Sequence, residues 1–468
     1  MPNIYGLLSV GETALMTHQK AIDITSNNIS NVNTPGYSRQ RLNMEQNEPI
    51  RYEGGVMSTG VKADQKIQRI YDRFINAQIN GENEELGRWD AQKEILEKAE
   101  LMFDDVSGYG LSSAMSKFWG SWQDLTNNPS GRVERVTLLA DSQDLADSFN
   151  KLNYDLTELQ KDADLSISET VAQINAKTDQ IAELNLKIAD AEGGGHNAND
   201  YRDKRDLLVK DLSNMIDIQS FEDGDGFMHV YTANGKTLVD RTFSWDLAAA
   251  PDTSSVDPDD IYKHIYWINS QGSQEDITDR ITGGKLKGWI EARDTIVPGY
   301  LDRLDSLAGE IINQVNAQHQ LGFSLDGTTT GEDFFSGSDA NDIAVSANIE
   351  ADVNLIAAAS TAAGAPGDES NALAIANLQN GAFMSGATFH DFHDSLVTDV
   401  GSDVAQATTF KGHQETMLSS LENYREEVSG VSLDEEMVNL VQYQTAYQAA
   451  AKIINTVNTM LDTLMNIV

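Results

Sequence analysis

The sequence predicts a mainly α-helical, elongated fold with a β-rich insertion, in which the N- and C-terminal helices pair as a coiled coil beside a helical-bundle body. Three observations carry this prediction: heptad-spaced apolar residues at both ends of the chain, long amphipathic stripes between them, and one stretch of short β-prone runs that interrupts the stripes.

The first element spans Ile4 to Val32. Leu8, Leu15, Ile22 and Ile29 recur every seven residues, with Ile4 and Val32 on the adjacent seam. Gly11, His18 and Thr25 share that second seam, so the apolar stripe is narrow and the helix is expected to need a partner. Pro35-Gly36 stops it, because proline disfavours helix in the residue before it and cannot continue the ladder. The last element mirrors the first: Leu433, Leu440, Tyr447, Ile454, Leu461 and Val468 also recur every seven residues. Ser432 and Glu435 have capping-box spacing, and Asp434, Glu435 and Glu436 put negative charge at the positive end of the helix dipole. At ~1.5 Å per residue the two helices span roughly 40 and 50 Å, long enough to require a surface to lie against.

Charge separates these ends from the rest of the chain. The formal net charge is -40, yet from Met437 to Val468 only Lys452 and Asp462 are charged, and from Ile4 to Val32 only Glu12, Lys20 and Asp23. A helix pair in water carries charge on its outer faces, whereas here Gln, Asn, Thr, Ser and Ala stand there. Interface cores are depleted in charge, so both ends read as facing other chains.

Between them lies a helical body. Leu145, Phe149, Leu152, Leu156, Leu159 and Ala163 alternate by four and three, and Ile167, Ile174, Ile181, Leu184 and Ile188 extend the stripe toward Gly193-Gly194-Gly195. Further helices are predicted at Tyr201 to Met215, at Leu301 to Val315, and around Leu418, Leu421 and Val428. From Asp217 to Gly284 the pattern changes to strand-like runs, Phe227 to Tyr231, Thr237 to Val239 and Ile261 to Ile268, with Asn234-Gly235 as a hairpin turn. Pro251 to Asp260 and Gly322 to Ser338 read as loops. The expected organisation is residues 1–60 with 415–468 as an inner coiled-coil layer, 61–216 with 285–414 as the helical body, and 217–284 as an inserted outer β domain.

Composition narrows the chemistry. A surface this acidic repels polyanions, so nucleic acid is not an expected partner. The absence of cysteine removes thiol nucleophiles, disulfides and cysteine-based metal sites. No basic n-region with an apolar core precedes a small-residue cleavage site, so no Sec-type signal is read, and no apolar run reaches membrane-spanning length. His390-Asp391-Phe392-His393-Asp394 is the best metal candidate, with histidines at i and i+3, but a third defined ligand is missing and a solvated face is the expectation. Glu222-Asp223-Gly224-Asp225-Gly226 starts like a calcium loop, but position twelve is Asn234, which makes a turn the better reading. Gly235-Lys236-Thr237 has the tail of a P-loop without its leading glycine, where Val230 stands. No catalytic, cofactor or metal residue is assigned, and the chain is not expected to be an enzyme.

Asn27-Asn28-Ile29-Ser30-Asn31-Val32-Asn33-Thr34-Pro35-Gly36-Tyr37-Ser38-Arg39-Gln40 closely resembles the signature shared by flagellar rod, hook and hook-associated axial proteins. Ser429 to Gln444 looks like the other end of the same superfamily, and Gln442-Tyr443-Gln444-Thr445-Ala446-Tyr447 is more similar to its hook-associated branch. Tyr201 to Leu212 and Gly288 to Gly299 also resemble that branch, while the β insertion and 337–411 fall outside the resemblance.

The resemblance implies a structural subunit exported unfolded by the flagellar type III apparatus, without a cleaved signal, and polymerised at the distal end of the hook to join it to the filament. It implies the terminal helices as the innermost layer of a tube, the body around them and the insertion outside. The implied partners are copies of the chain itself, hook protein, a neighbouring junction protein and an export chaperone on the C-terminal helix. Assembly contacts are expected at Leu8, Leu15, Ile22 and Ile29, at Asn28 and Asn31 of the motif, and at Leu433, Leu440, Tyr447, Ile454, Leu461 and Val468. A hook or distal rod subunit, a secreted enzyme using His390 and His393, and an intracellular coiled-coil adaptor stand as alternatives.

Overall fold

The computed structural model describes residues 2–52, 55–57, 60–104, 110–194, 197–251 and 262–465. Helix α1 (Pro2–Ser30) leads through the Asn31 to Gly36 turns into β1 (Gln40–Gln46), the short hairpin β2 (Ile50–Tyr52) and β3 (Gly55–Met57), and β4 (Val61–Arg69). Strands β1 and β4 pair antiparallel, Gln40 opposite Arg69 and Gln46 opposite Val61, so the boundary expected at residue 60 passes through one hairpin.

The body starts with α2 (Arg73–Phe103), capped by the Asp72 side chain, and α3 (Leu111–Asn127). Neither helix stood out as a stripe in the sequence. On α2 the buried row is Ile75, Ile79, Asn83, Gly87, Ala91, Ile95, Ala99 and Phe103, every fourth residue with a polar and a small side chain at its centre. A β-carbon on Gly87 would lie 2.0 Å from the Asn214 carbonyl oxygen, so α2 makes its contact by backbone approach where an apolar pattern would need a large side chain. The long stripe is α4 (Arg132–Gly193), about 90 Å of helix by its rise. It begins thirteen residues ahead of the predicted Leu145, and α5 (Asn199–Met215) follows.

The β-rich stretch forms two antiparallel sheets. β5 (Ile218–Glu222), β6 (Met228–Thr232), β7 (Thr237–Asp240) and β8 (Phe243–Ser244) lie in sequence order, and β10 (Lys263–Ile268) sits between β9 (Leu247–Pro251) and β11 (Gln274–Asp276). The Asn234-Gly235 turn joins β6 to β7, and Asp223 closes the β5–β6 turn by accepting from the amides of Asp225 and Phe227. Ile261 and nearly all of the Pro251 to Asp260 loop lie outside the described residues. Two asparagines of α4 dock this region. Asn175 exchanges both amide bonds with the Leu247 backbone, and fully buried Asn185 does the same with Met228, each side chain standing in for a neighbouring strand. Met228, Val230, Leu238, Val239, Leu247 and Ile265 belong to the same continuous core as the helices.

α6 (Gly284–Glu291) passes through a π-helical turn at Ala292–Ile296 into α7 (Val297–His319). There the buried Arg293 binds Asp164 of α4 and the Lys263 carbonyl of β10, joining three elements. The small pair β12 (Phe335–Ser336) and β13 (Ala344–Val345), then α8 (Ala347–Ala351) and α9 (Ser370–Asn377), precede α10 (Phe389–Ser429), which lies along α2 with Phe410 stacked on Trp89. α11 (Leu433–Met465) returns along α1.

The Gly322 to Ser338 connection is an ordered lid on the core: Phe334 and Phe335 join Phe118, Trp122 and His319 in an aromatic cluster. His319 is fully buried, donating from Nδ1 to the Glu332 carbonyl and accepting at Nε2 from the Ala357 amide. Accepting at Nε2 requires the neutral imidazole, and burial pushes its pKa down to about 4. Its stabilising contribution is complete above the unfolded value near 6.5 and is lost as pH falls from there toward 4, up to about 3 kcal/mol. Denaturant unfolding between pH 7 and 4 should therefore show a slope that His319→Gln flattens. An unchanged slope would remove His319 from the acid response.

Candidate functional site

The terminal helices and the turn between α1 and β1 hold the residues on which the sequence reading concentrates. α1 and α11 run antiparallel: Gly11 lies against Ile454, His18 stacks on Tyr443 with ring centroids 6.3 Å apart, and Asn28 donates to Glu436 at 3.1 Å. A β-carbon on Gly11 would stand 2.9 Å from Ile454 Cγ1, which shows how closely the two backbones approach.

This geometry moves the seam from where the apolar pattern places it. On α1 the buried side is mostly small or polar, Gly11, Thr17, Ala21, Thr25 and Asn28 with Ile24 as its one large apolar member, while Leu8, Leu15, Ile22 and Ile29 flank it half-buried. On α11 the most buried positions are Glu436, Ala450 and Val457, seven or fourteen residues apart with Tyr443 between them. Leu440, Tyr447, Ile454 and Leu461 form the half-buried second row. Leu433 is exposed, and Val468 lies outside the described residues. The physical reason is size: close approach selects the small side chains for the contact, and large ones are displaced to its edges. Small residues facing the partner helix were the available signal, visible at Gly11, Ala21 and Ala450.

Asn28 works inside the chain. Its amide donates to the Gln40 carbonyl at 2.8 Å and to Glu436, and its oxygen accepts from the Tyr37 hydroxyl at 2.8 Å and the Gln40 amide at 3.0 Å. Asn31 bonds Asn27 and accepts from Thr34, finishing the helix end. Arg39 reaches Glu435 and Glu436 at 2.8 and 2.9 Å, so Glu435, expected in a capping box, answers this guanidinium. Burial opposes the Arg39 charge, but the two carboxylates outweigh it and hold the group protonated. Burial, with Asp200, Asp203 and Glu436 nearby, raises Tyr37 well above the usual phenol range and keeps it a donor. The motif therefore folds the chain back on itself and staples the start of α11. A groove of about 650 Å³ lies beside it, between Ile24, Leu42, Val438 and Tyr443.

The outward side of α11 carries an apolar patch near its N-terminal end that is uncovered in the single chain, ahead of a mostly Gln, Asn and Thr surface. Met437, Val438 and Val441 are 51%, 67% and 58% exposed, and Ile453 and Met460 follow on the same helix. Elsewhere, His393 is buried and Asp391 caps α10 through Thr388. Among the described residues no group of three or more His, Asp or Glu is placed to hold a metal ion, and no helix is long and apolar enough to cross a membrane.

Comparison with known proteins gives this architecture a family. The model of the flagellar hook-associated protein FlgK helical domain matches residues 96–335, just over half of the chain. The chain belongs to the FlgK family. The flagella basal body rod protein model matches 8–37, and the FlgEFG C-terminal model of basal body rod proteins matches 423–467, the two FlgK helices paired above. Flagellar hook-associated protein 1 of Bacillus subtilis is 28% identical, with 98% of this chain and 97% of that protein aligned. Its counterparts in Salmonella typhimurium and Escherichia coli are also 28% identical, over 98% of this chain and 99% of theirs. The solved FlgK hook junction protein of Burkholderia pseudomallei shares the fold, with a TM-score of 0.67 at 16% identity over 75% of this chain and all of that one. The chain is thus a structural component of the bacterial flagellum, at the junction of hook and filament.

Proposed function

We propose that the chain builds this junction by polymerising through the outward faces of α1 and α11, after export without a cleaved signal. The observation that carries the reading is the face of Met437, Val438 and Val441, apolar and uncovered in a chain of net charge -40. Charge is missing where chains would meet, and the acidic surface lies elsewhere. On this reading the paired helices are the inner layer of a tube, the helical body surrounds them and the β region lies outermost. Leu8, Leu15, Ile22, Ile29, Leu440, Tyr447, Ile454 and Leu461 then serve twice, partly covered within the chain and closed fully between copies, while the exposed Leu433 is covered only between copies. Hook protein contacts one edge of the zone and a neighbouring hook-associated protein the other.

The work is mechanical: interfaces match a bendable tube to a stiff one, and no residue is assigned a chemical step. Before assembly the same apolar face is an aggregation hazard, which an export chaperone on α11 would cover. The test is to add purified protein to isolated, uncapped hooks and look by electron microscopy for a short distal zone, with a chain lacking Met1 to Val32 as the comparison. A finite zone that needs those residues is the expected result. Unlimited growth would point to a hook or rod subunit, and absence of binding would overturn the junction reading.

A further inference from the structure

The β-rich region leaves the helical body and returns to it through one narrow neck. The chain passes out of α5 at Ile216 and Asp217 and comes back at Thr282, Gly283 and Gly284, the entry to α6. The two passes are fastened to each other. Asp217 Oδ2 accepts from the Thr282 amide at 3.0 Å and from its hydroxyl at 2.6 Å. Gly284, at φ +74°, comes so close that a β-carbon on it would stand 2.4 Å from the Ile216 amide nitrogen. Helix α2 closes the third side: the Glu84 carboxyl lies on the neck, where a β-carbon on Gly283 would meet Glu84 Oε1 at 2.2 Å.

Two carboxyl groups therefore share one corner. Asp217 is 1% exposed, and its Oδ1 is buried with no hydrogen-bond partner. Among the described residues no cation pairs with Glu84. The cations that α2, α5 and α6 bring nearby are held elsewhere: Arg88 by Glu291 and Glu85, Lys210 by Glu422, Lys285 by Asp90 and Lys287 by Glu291. Burial first, then the charges of Asp217 and Glu85, push the Glu84 pKa up to about 8. Burial raises Asp217 as well, against its Thr282 bonds and the Lys287 charge.

We propose that this neck is a proton-operated clamp: Glu84 sits on it as the neutral acid, and its ionisation in alkaline medium sets a second negative charge against Asp217, loosening the 282–284 corner and the start of α6 behind it. The folded chain then holds a proton that the unfolded chain, with a Glu carboxyl near 4.5, has released. The clamp's contribution is complete below 4.5 and is lost as pH rises through about 8, the opposite direction to His319. Above the ordinary histidine value of 6.5 the His319 contribution no longer changes, which leaves a window in which Glu84 acts without it. The device belongs to the helical body and to the root of the β region, so its failure would leave the assembly reading intact.

Hydrogen exchange at the amides of Leu286, Trp289 and Ile290 reads the clamp in the full-length protein. Glu84→Gln is the comparison, because the amide keeps the shape of the neutral acid and does not ionise. From pH about 6.5 to about 9, protection of these amides, corrected for the intrinsic rate, is expected to fall about tenfold or more in the parent and to stay level in Glu84→Gln. Infrared spectra of the parent should lose a protonated-carboxyl stretch over the same range, a reading that stands even where the variant does not fold. An equal loss of protection in both proteins, or no such stretch in the parent at the lower pH, would overturn the proposal. Calcium that restored protection in the alkaline parent would overturn it too, because the corner would then be a cation site.

Discussion

Asn28→Leu is expected to release the terminal pair from its turn, lowering protection of α1 and α11 amides against hydrogen exchange about a hundredfold while the body stays protected. Leucine keeps the branching of asparagine but has no polar atom and bulkier methyl groups, so the change removes partners and also crowds contacts of 2.8–3.1 Å. It strands the Gln40 amide and carbonyl, the Tyr37 hydroxyl and one oxygen of Glu436, all of which the Asn28 amide now satisfies. Stranded buried polar groups cost about 1–3 kcal/mol each. Partial rehydration at this edge of the structure leaves an expected loss of about 3 kcal/mol or more, the hundredfold quoted. The small apolar core beneath, Ala21, Ile24 and Leu42, cannot make up that deficit. Unchanged protection in α1 would show that the clamp is redundant with the Arg39 to Glu435 and Glu436 pairs.

The behaviour of Asn28 also explains what the sequence disclosed and what it hid. Periodic apolar residues on long helices are visible without a structure, and α4, α5 and α7 follow their stripes. The strands around Val230, Val239 and Ile265 were visible as β-branched runs between turn residues. α2 was not, because its buried row is spaced by four and carries Asn83 and Gly87 where a pattern search expects Leu or Ile. The seam between α1 and α11 was hidden for the same reason: contact by close approach is written in Gly11, Ala21 and Ala450, which look like gaps in a stripe. Polar docking is harder still. Nothing in the chain order announces that Asn175 and Asn185 would replace strand edges, or that Asp203 would meet a serine 165 residues earlier. Such pairings exist only once the fold has brought their elements together.

Val441→Asp and Ile454→Asp place the same charge on the same helix, and they are expected to fail differently. Val441 is 58% exposed in the single chain, so an aspartate there keeps its water and should change folding stability by no more than about 0.5 kcal/mol. In a layer of copies packed through that face, the carboxylate would lose its hydration with no counterion nearby, since the outer faces of α1 and α11 carry few charges. That costs about 3 kcal/mol or more per contact and should reduce association over a hundredfold with the thermal midpoint unmoved. Ile454 instead lies over Gly11, where the backbones approach most closely, and an aspartate there faces α1 in the monomer itself. Pairing should open before any partner arrives, so α1 and α11 lose exchange protection and association falls with them. Sedimentation for association and hydrogen exchange for pairing separate the two outcomes. If Val441→Asp associates like the parent, the outward face of α11 is not a contact and the assembly surface must be sought elsewhere. If Ile454→Asp leaves α1 protected, the pairing of the terminal helices does not depend on this seam, and its stability must come from the polar turn alone.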